Sequence, residues 1–308
     1  MEYRILGKTG LKVSVIGLGC AELGMDYGIN IPGEYGKPDR NTSRLILNKA
    51  LDLGINLFDT APGYGDSETL LGDILGSKNC YFATKVSIIQ GDVNAALNVR
   101  CSIEKSLKNL RRECLDIVQI HNTMPDTPKK ADVVEVLLDL KKKGMIRFIG
   151  DSVYGPRSAM MAIKRDTFDV LQVAYSILDQ RMSETVFPEA QRKMLGVIGR
   201  APYFRGILTE KVVHLNDNFD FLKKTVKGVK DEAGINTWDD LTESALRFCL
   251  SAKELGSVLV GVRTLEELKF AVETEKKGAL PDNIFEALSI AGIKDDYWVD
   301  PLNWYLKL

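Results

Sequence analysis

The stretch SRLILNKALDLGINLFDTAPGYGDSETLLGDILGSKNCYFATK, residues 43–85, contains the repeat that decides the fold. A helix candidate, Ser43–Leu53, is followed by Gly54, a good left-handed C-terminal cap, and then by the apolar run Ile55–Phe58. A second helix candidate, Asp66–Leu75, precedes a second apolar run, Tyr81–Thr84. Because these runs are apolar throughout, they are typical of parallel strands that helices cover on both faces.

The same alternation continues over most of the chain. Further strand candidates are Val13–Leu18, Leu115–Ile120, Met145–Ile149, Val170–Val173, Gly196–Ile198 and Val258–Val260. Further helix candidates are Val93–Leu110, Asp132–Lys143, Pro156–Lys164, Glu184–Lys193 and Leu265–Glu273. Eight strand–helix units close a (β/α)8 (TIM) barrel, so we predict this α/β fold as one domain over residues 1–308. A doubly wound open sheet, the alternative, usually has fewer strands and a glycine-rich loop after the first strand.

Three segments lie outside the repeat. Tyr3–Leu11 contains the turn signal Lys8-Thr9-Gly10 and predicts an N-terminal β-hairpin that covers the barrel bottom. Arg205–Trp238 is a long loop after strand seven, in which Phe219–Lys230 is a candidate inserted helix. A C-terminal tail, Pro281–Leu308, follows the last unit.

The composition is that of an ordinary globular protein, with 45% hydrophobic residues, 27% charged residues and a net charge of -1. Without a basic run, a long apolar stretch or a signal-peptide core, we expect a cytoplasmic protein with no nucleic-acid or membrane partner. The five cysteines are odd in number and widely spaced, which argues against a disulfide framework. No metal-ligand spacing surrounds the two histidines, His121 and His214, so we expect no metal.

Ionisable side chains follow three consecutive predicted strands. Asp59, Lys85 and His121 come directly after the second, third and fourth strands, and Tyr64 lies in the loop behind Asp59. Each residue alone is most often a surface charge, a helix cap or a structural histidine. Because the carboxyl ends of barrel strands form the catalytic face, the joint placement favours a catalytic cluster.

These residue types suit acid catalysis at an oxygen. A tyrosine phenol, with a pKa of about 10, is a poor acid at neutral pH unless a neighbouring ammonium such as that of Lys85 lowers its pKa. Asp59 would hold the lysine in place, and His121 would donate a hydrogen bond to the substrate oxygen or the phenol. No serine or cysteine nucleophile stands beside a base, so hydrolysis is less natural.

The same residues resemble the signatures of a known family. The run Phe58–Glu68 is similar to the active-site signature of the aldo-keto reductases, Ala83–Lys85 resembles their lysine strand, and Asp116–His121 resembles their histidine strand. The resemblance extends from about Tyr3 to at least Val272. It implies a catalytic tetrad, complete in this chain: Asp59, Tyr64, Lys85 and His121.

The resemblance also implies a nicotinamide cofactor that binds without a Rossmann domain. The residues it assigns to cofactor binding are Gly19, Cys20, Ala21, Asp59, Ser152, Gln172, Arg200, Ala201, Gly206, Leu208, Gly261, Arg263 and Glu267. Arg263 offers donors for a 2′-phosphate and favours NADPH. Three departures keep NADH open: Val153 and Ala271 stand where the family has asparagine, and Glu267 would repel a 2′-phosphate.

We therefore expect a reductase of an aldehyde, ketone or keto-sugar, acting on a small-molecule carbonyl as a monomer or small homo-oligomer. The alternatives are a cofactor-binding regulatory subunit with little turnover and an NAD-dependent alcohol or sugar dehydrogenase. Substrate specificity would reside in four segments, Glu22–Arg40, Asn122–Lys130, Arg205–Trp238 and Lys294–Leu308. Candidate pocket walls are Tyr27, Trp298 and Trp304, and Asp151, a polar residue in a strand, has no assigned role.

Overall fold

The computed structural model describes residues 1–29, 36–89, 92–124, 127 and 130–304. It begins with the predicted hairpin, in which β1 (Tyr3–Ile5) pairs antiparallel with β2 (Lys12–Ser14). A 3-10 turn, Gly7–Thr9, joins the two strands. The sequence had predicted that the hairpin ends at Leu11, but its second strand begins at Lys12. The hairpin is confirmed, with its second strand shifted toward the barrel.

This shift corrects the first predicted barrel strand, Val13–Leu18. Its first residues belong to β2, and the barrel strand β3 is Ile16–Gly19. Val15 separates the two, because its N–H donates to the Glu2 carbonyl of the hairpin while its carbonyl accepts from Val258 of the barrel. Val13 before the break and Ile16 and Leu18 after it are all apolar and buried, so these residues contain no signal for the break.

Eight parallel strands form a closed barrel, as predicted. After β3 they are β4 (Leu57–Asp59), β5 (Tyr81–Val86), β6 (Leu115–Thr123), β7 (Ile146–Val153), β8 (Val170–Ala174), β9 (Gly196–Arg200) and β10 (Leu255–Gly261). The barrel closes where β10 pairs with β3, and there Gly261 lies opposite Gly19. Several strands run further than predicted at their carboxyl ends. Asp59 is the last residue of β4, Lys85 is one residue before the end of β5, and His121 is two residues before the end of β6, so all three lie in strands rather than in loops.

The helices alternate with the barrel strands and surround them. They are α1 (Ala21–Gly24), α2 (Arg40–Asp52), α3 (Ser67–Leu75), α4 (Ala95–Leu110), α5 (Lys130–Lys142), α6 (Gly155–Lys164), α7 (Val186–Arg192), α8 (Asp220–Glu232), α9 (Trp238–Ser251), α10 (Leu265–Lys276), α11 (Asp282–Ser289) and α12 (Asp296–Val299). The inserted helix predicted at Phe219–Lys230 is α8. In the described part of the chain, no helix is both long and apolar enough to span a membrane.

Two apolar cores stabilise this arrangement. The larger lies between the barrel and its helices. The smaller fills the amino-terminal end of the barrel, where Leu6, Leu11 and Val13 of the hairpin segment pack with Leu57 and Ile117. The hairpin therefore closes the bottom of the barrel and leaves the carboxyl ends of the strands open.

The long loop and the tail pack on each other. The loop contains three 3-10 turns, Phe204–Gly206, Glu210–His214 and Asp217–Phe219, ahead of α8. In the tail, Trp304 lies edge-on to Phe204 with ring centroids 5.4 Å apart, and Trp298 stacks on Phe221 at 5.0 Å. Parts of the predicted substrate segments, residues 30–35, 125–126, 128–129 and 305–308, lie outside the described residues.

Candidate active site

The predicted tetrad meets at the carboxyl end of the barrel. Parallel pairing of β4, β5 and β6 brings the ends of these strands side by side, with Asp59 opposite Ala83 and Lys85 opposite Gln119. The Lys85 ammonium forms a buried ion pair with Asp59 and also donates to the carbonyl of Thr60 at 2.9 Å. The lysine is thus held in place by two acceptors from the neighbouring strand.

Asp59 has further partners that fix its carboxylate. Its Oδ2 accepts from Gln172 Nε2 at 2.8 Å and from Gln119 Nε2 at 3.3 Å. Ser152 Oγ in turn donates to Gln172 Oε1 at 3.4 Å. Because a buried carboxylate is costly unless it is paired and hydrogen-bonded, this network and the ion pair with Lys85 offset the cost of placing Asp59 inside the barrel.

Tyr64 lies between the lysine and the histidine. Its Oη is 3.5 Å from His121 Nε2, and Lys85 Nζ is 4.9 Å from the centroid of its ring. Two glycines allow the loop to sit here: a Cβ on Gly24 would lie 2.0 Å from the Tyr64 carbonyl oxygen, and Gly65, at φ +57°, would meet the Gly24 oxygen at 2.1 Å. The backbone of the Tyr64 loop thus packs directly on the backbone of α1, and this close contact requires glycine on both sides.

The Tyr64 phenol and the His121 imidazole are both neutral near pH 7. Burial raises the pKa of Tyr64 well above its ordinary value, and the Asp59 carboxylate raises it further. Burial, reinforced by the charges of Lys85 and Arg200, lowers the pKa of His121 to about 3. We expected Lys85 to lower the pKa of the Tyr64 phenol, but burial and the Asp59 carboxylate raise it instead. Tyr64 therefore keeps its proton.

A cavity of about 470 Å³ opens above these residues. Most of the predicted cofactor residues line it: Gly19, Cys20, Ala21, Asp59, Gln172, Arg200, Ala201, Gly206, Gly261, Arg263 and Glu267. Tyr64 lines it as well, and Lys85 and His121 lie against Tyr64. Ser152 and Leu208 are buried and do not line the cavity, although Ser152 contacts the lining residue Gln172.

One part of the lining is rich in charge, and we call it the β10 side of the cavity: Glu22, Lys211, Gly261, Arg263 and Glu267. Glu267 accepts from the backbone N–H of Arg263 at 2.6 Å and from Lys211 Nζ at 3.1 Å. Although burial opposes ionisation, Lys211 and the Arg263 N–H outweigh it and hold the pKa of Glu267 below its usual value. Glu267 is therefore an ionised carboxylate within the cavity.

Sequence reasoning missed several lining residues because they lie in loops. Tyr154 follows β7 directly and stacks on the Arg200 guanidinium, 4.6 Å from its ring centroid. Arg181 lines the cavity from the segment after β8 and is bound to the buried Asp179 through Nε at 2.8 Å. Tyr154 could have been found as the first large side chain beyond the end of strand five; Arg181 and Asp179 have no comparable signal.

The candidate pocket walls divide into two groups. Tyr27 lines the cavity, as predicted. Trp298 and Trp304 do not; they pack on the long loop, where Trp304 lies 6.0 Å from the ring centroid of Phe219. The two tryptophans of the tail therefore support the loop that lines the cavity, and Val299 of α12 lines the cavity itself.

Asp151 is a structural residue. It is fully buried outside the cavity lining, accepts from Thr123 Oγ1 at 2.7 Å and forms an ion pair with Lys130 at the start of α5. This pairing ties β6, β7 and α5 together and accounts for a carboxylate inside a strand.

The lining fits a nicotinamide dinucleotide. Arg200 brings a buried Nε that has no hydrogen-bond partner among the described residues, and a polar group in the cavity would satisfy this donor. The cavity extends from Tyr64 to Arg263, so one elongated ligand can contact both. In the described ranges, no three His, Cys, Asp or Glu side chains are grouped to hold a metal ion.

Comparison with known proteins agrees with this geometry. A model of the aldo/keto reductase family matches residues 15–291. The uncharacterised oxidoreductase YqkF of Bacillus subtilis is 26% identical over 96% of this chain and 98% of its own length, and L-galactose dehydrogenase of Arabidopsis thaliana is 30% identical over 87% and 86%. The holo structure of aldo-keto reductase AKR11C1 from Bacillus halodurans superposes with a TM-score of 0.79 at 26% identity, covering 96% of this chain and 97% of the other. The chain therefore belongs to the aldo/keto reductase family of oxidoreductases.

Proposed function

We propose that this protein reduces an aldehyde, ketone or keto-sugar with NADPH as the hydride donor and Tyr64 as the general acid. The observation that carries the proposal is the neutral, part-buried phenol of Tyr64, which faces a cavity and lies 3.5 Å from His121 Nε2. A group that holds its proton until charge develops on a nearby oxygen is suited to protonate that oxygen.

The tetrad residues have distinct parts in this reaction. Tyr64 donates its proton to the substrate oxygen as negative charge builds there, and the neutral His121 imidazole can donate a hydrogen bond to the same oxygen. Lys85, 4.9 Å from the Tyr64 ring, stabilises the phenolate that remains, and Asp59 holds the lysine charged and in place. When bound, NADPH supplies the hydride.

Arg263 supports the choice of NADPH. It lies two residues after the end of β10 in the cavity lining, and a guanidinium matches a phosphate better than an ammonium does. Its backbone N–H is bound to Glu267, whose charge is balanced by Lys211. That balance reduces the repulsion that a 2′-phosphate would meet at Glu267.

A second candidate is an NAD-dependent alcohol or sugar dehydrogenase. Two carboxylates on the β10 side, Glu22 and Glu267, favour a cofactor without a 2′-phosphate. One relative at 30% identity is named a dehydrogenase of L-galactose. Binding of NADH and NADPH to the purified protein separates this candidate from the first.

The test of the proposed function is NADPH oxidation with a panel of aldehydes, ketones and keto-sugars by the wild type and by Tyr64→Phe. We expect turnover to fall by at least about 100-fold in the variant, the usual contribution of general acid catalysis, while NADPH affinity stays unchanged. Equal turnover would remove Tyr64 as the acid. Tight cofactor binding without turnover on any substrate would instead favour a regulatory subunit.

A further inference from the structure

Glu22 occupies an unexpected place for an acidic side chain. It lies in α1, directly behind β3, and its carboxylate rests on the backbone of Gly261. A Cβ on Gly261 would lie 2.1 Å from Glu22 Oε1 and 2.5 Å from Oε2, so both oxygens cover the α-carbon. This is the end of β10, next to Arg263, where the resemblance places the adenosine phosphate of the cofactor.

Three charged groups surround Glu22, each from a different part of the fold. Burial raises its pKa to about 7, and Glu267 of α10 raises it, whereas its own backbone N–H, Arg263 after β10 and Lys211 of the 3-10 turn Glu210–His214 lower it. Cys20, Tyr27 and Tyr64 also face it, and all three remain protonated near neutral pH because burial raises their pKa values. Glu267, by contrast, is ionised. The two carboxyl groups of Glu22 and Glu267 thus share the cations Lys211 and Arg263. Of the two carboxyl groups, that of Glu22 gains or loses a proton near pH 7.

We propose that Glu22 takes up a proton when a nicotinamide dinucleotide binds, so that the cofactor affinity of this protein falls as the pH rises above neutrality. The inference rests on the proposed use of such a cofactor. A dinucleotide brings at least two negative phosphate charges to the cavity, and Arg263 and Lys211 are the cations of the β10 side. An ionised Glu22 competes for the same cations, whereas a protonated Glu22 does not and can donate a hydrogen bond.

The direction of the pH effect follows from linkage. Added negative charge favours the protonated form of Glu22, so its pKa is higher in the complex than in the free protein. Between these two pKa values the complex holds more protons than the free protein, and binding weakens with increasing pH by up to about tenfold per pH unit. Below the pKa of the free protein, Glu22 is protonated in both states and the affinity is independent of this group.

The experiment is isothermal titration calorimetry of the full chain with NADH and NADPH at pH 6.5, 7.5 and 8.5. Each titration is run in two buffers of different ionisation enthalpy, which gives the number of protons taken up. For the wild type we expect the Kd for NADH to rise at least about fivefold from the lowest to the highest pH, with uptake approaching one proton. NADH is the cleaner probe, because NADPH carries a 2′-phosphate that itself titrates near pH 6.

Glu22→Gln is the test variant, because it keeps the size of the side chain and removes the titrating group. We expect it to bind NADH with nearly the same Kd at all three pH values and with little proton uptake. Glu266→Gln, an exposed residue in the same lining, removes one negative charge and serves as the matched control that keeps the wild-type pH dependence. A pH-independent wild type, or an unchanged pH dependence in Glu22→Gln, overturns the inference. Failure of all three proteins to bind either dinucleotide overturns the proposed function instead.

Discussion

Two lysine–carboxylate pairs serve the same cavity, and they differ mainly in burial. The pair Lys85–Asp59 joins two barrel strands, and its side chains are 1% and 5% exposed. The pair Lys211–Glu267 joins a 3-10 turn of the long loop to α10, and its side chains are 23% and 37% exposed. Both pairs join a lysine ammonium to a carboxylate, so the comparison shows what burial and rigid support contribute to the ion pair.

The difference shows which tasks each side can perform. Inside the barrel, the attraction between Lys85 and Asp59 is stronger because little water screens it. Each charge also needs the other, because their attraction helps to offset the free energy lost when both are removed from water. On the β10 side, solvent reaches both charges and their mutual attraction is weak. The tetrad side thus holds its two charges firmly together. On the β10 side the Lys211–Glu267 pair is weaker, so a charged ligand can compete for Lys211, and it is the neighbouring Glu22 that we propose takes up a proton.

The largest effect is expected for Lys85→Met. The substitution leaves the Asp59 carboxylate buried without its cation, with hydrogen bonds from Gln119 and Gln172. Breaking a buried pair in this way costs about 3–5 kcal/mol of unfolding free energy. It also removes the cation that would stabilise a Tyr64 phenolate, so turnover should be lost. Urea unfolding and NADPH oxidation measure the two effects.

The double variant Asp59→Asn, Lys85→Met is the matched control for this prediction. Because it removes both charges, it should regain part of the lost stability without regaining turnover. If the single and the double variants unfold at the same denaturant concentration, the unpaired carboxylate is not the source of the destabilisation.

A smaller effect is expected for His121→Gln, through pH. The pKa of His121 is lowered to about 3 in the folded protein and returns to about 6.5 on unfolding, so the unfolded chain binds more protons between these values. The wild type should therefore lose stability as the pH falls from about 6.5, by up to about 1.4 kcal/mol per unit more than the variant does. Urea unfolding of both proteins at pH 7, 6, 5 and 4 measures the difference.

The same variant tests the role of the imidazole in catalysis. Its loss removes one hydrogen-bond donor to the substrate oxygen, and such a loss typically lowers kcat about 100- to 1,000-fold. The wild-type rate should have no inflection near pH 6.5, because His121 stays neutral there. An inflection at that pH that vanishes in His121→Gln would show that the histidine titrates within the working range.

The two sides also differ in how far the sequence predicted them. Asp59, Lys85 and His121 were placed correctly because a barrel strand fixes where its carboxyl end lies, and apolar runs identify barrel strands. Glu22 and Lys211 belong to a one-turn helix and a 3-10 turn, which have too few residues for a periodic pattern. The sequence places such side chains along the chain without indicating what they face.

A similar limit explains the errors within the fold. The boundary between the hairpin and the first barrel strand was missed at Val15, because Val13 before it and Ile16 after it are equally apolar and buried. The expected lowering of the Tyr64 pKa by Lys85 was wrong for a related reason. The order of the strands predicts that Lys85 lies near Tyr64. The burial that raises the pKa of Tyr64 depends on the packing of the whole barrel, which the sequence does not indicate.

The smallest effect is expected for Lys211→Met, the counterpart of Lys85→Met on the β10 side. Breaking a partly exposed pair costs at most about 1 kcal/mol of unfolding free energy, because water solvates the Glu267 carboxylate that is left behind. Dinucleotide binding should weaken by less than about tenfold, since one solvent-accessible cation is lost while Arg263 remains. Urea unfolding and calorimetric titration with NADH provide both numbers. A destabilisation as large as that of Lys85→Met would mean that Lys211 closes the long loop onto α10 as a structural element, and burial alone would no longer explain the contrast between the two pairs.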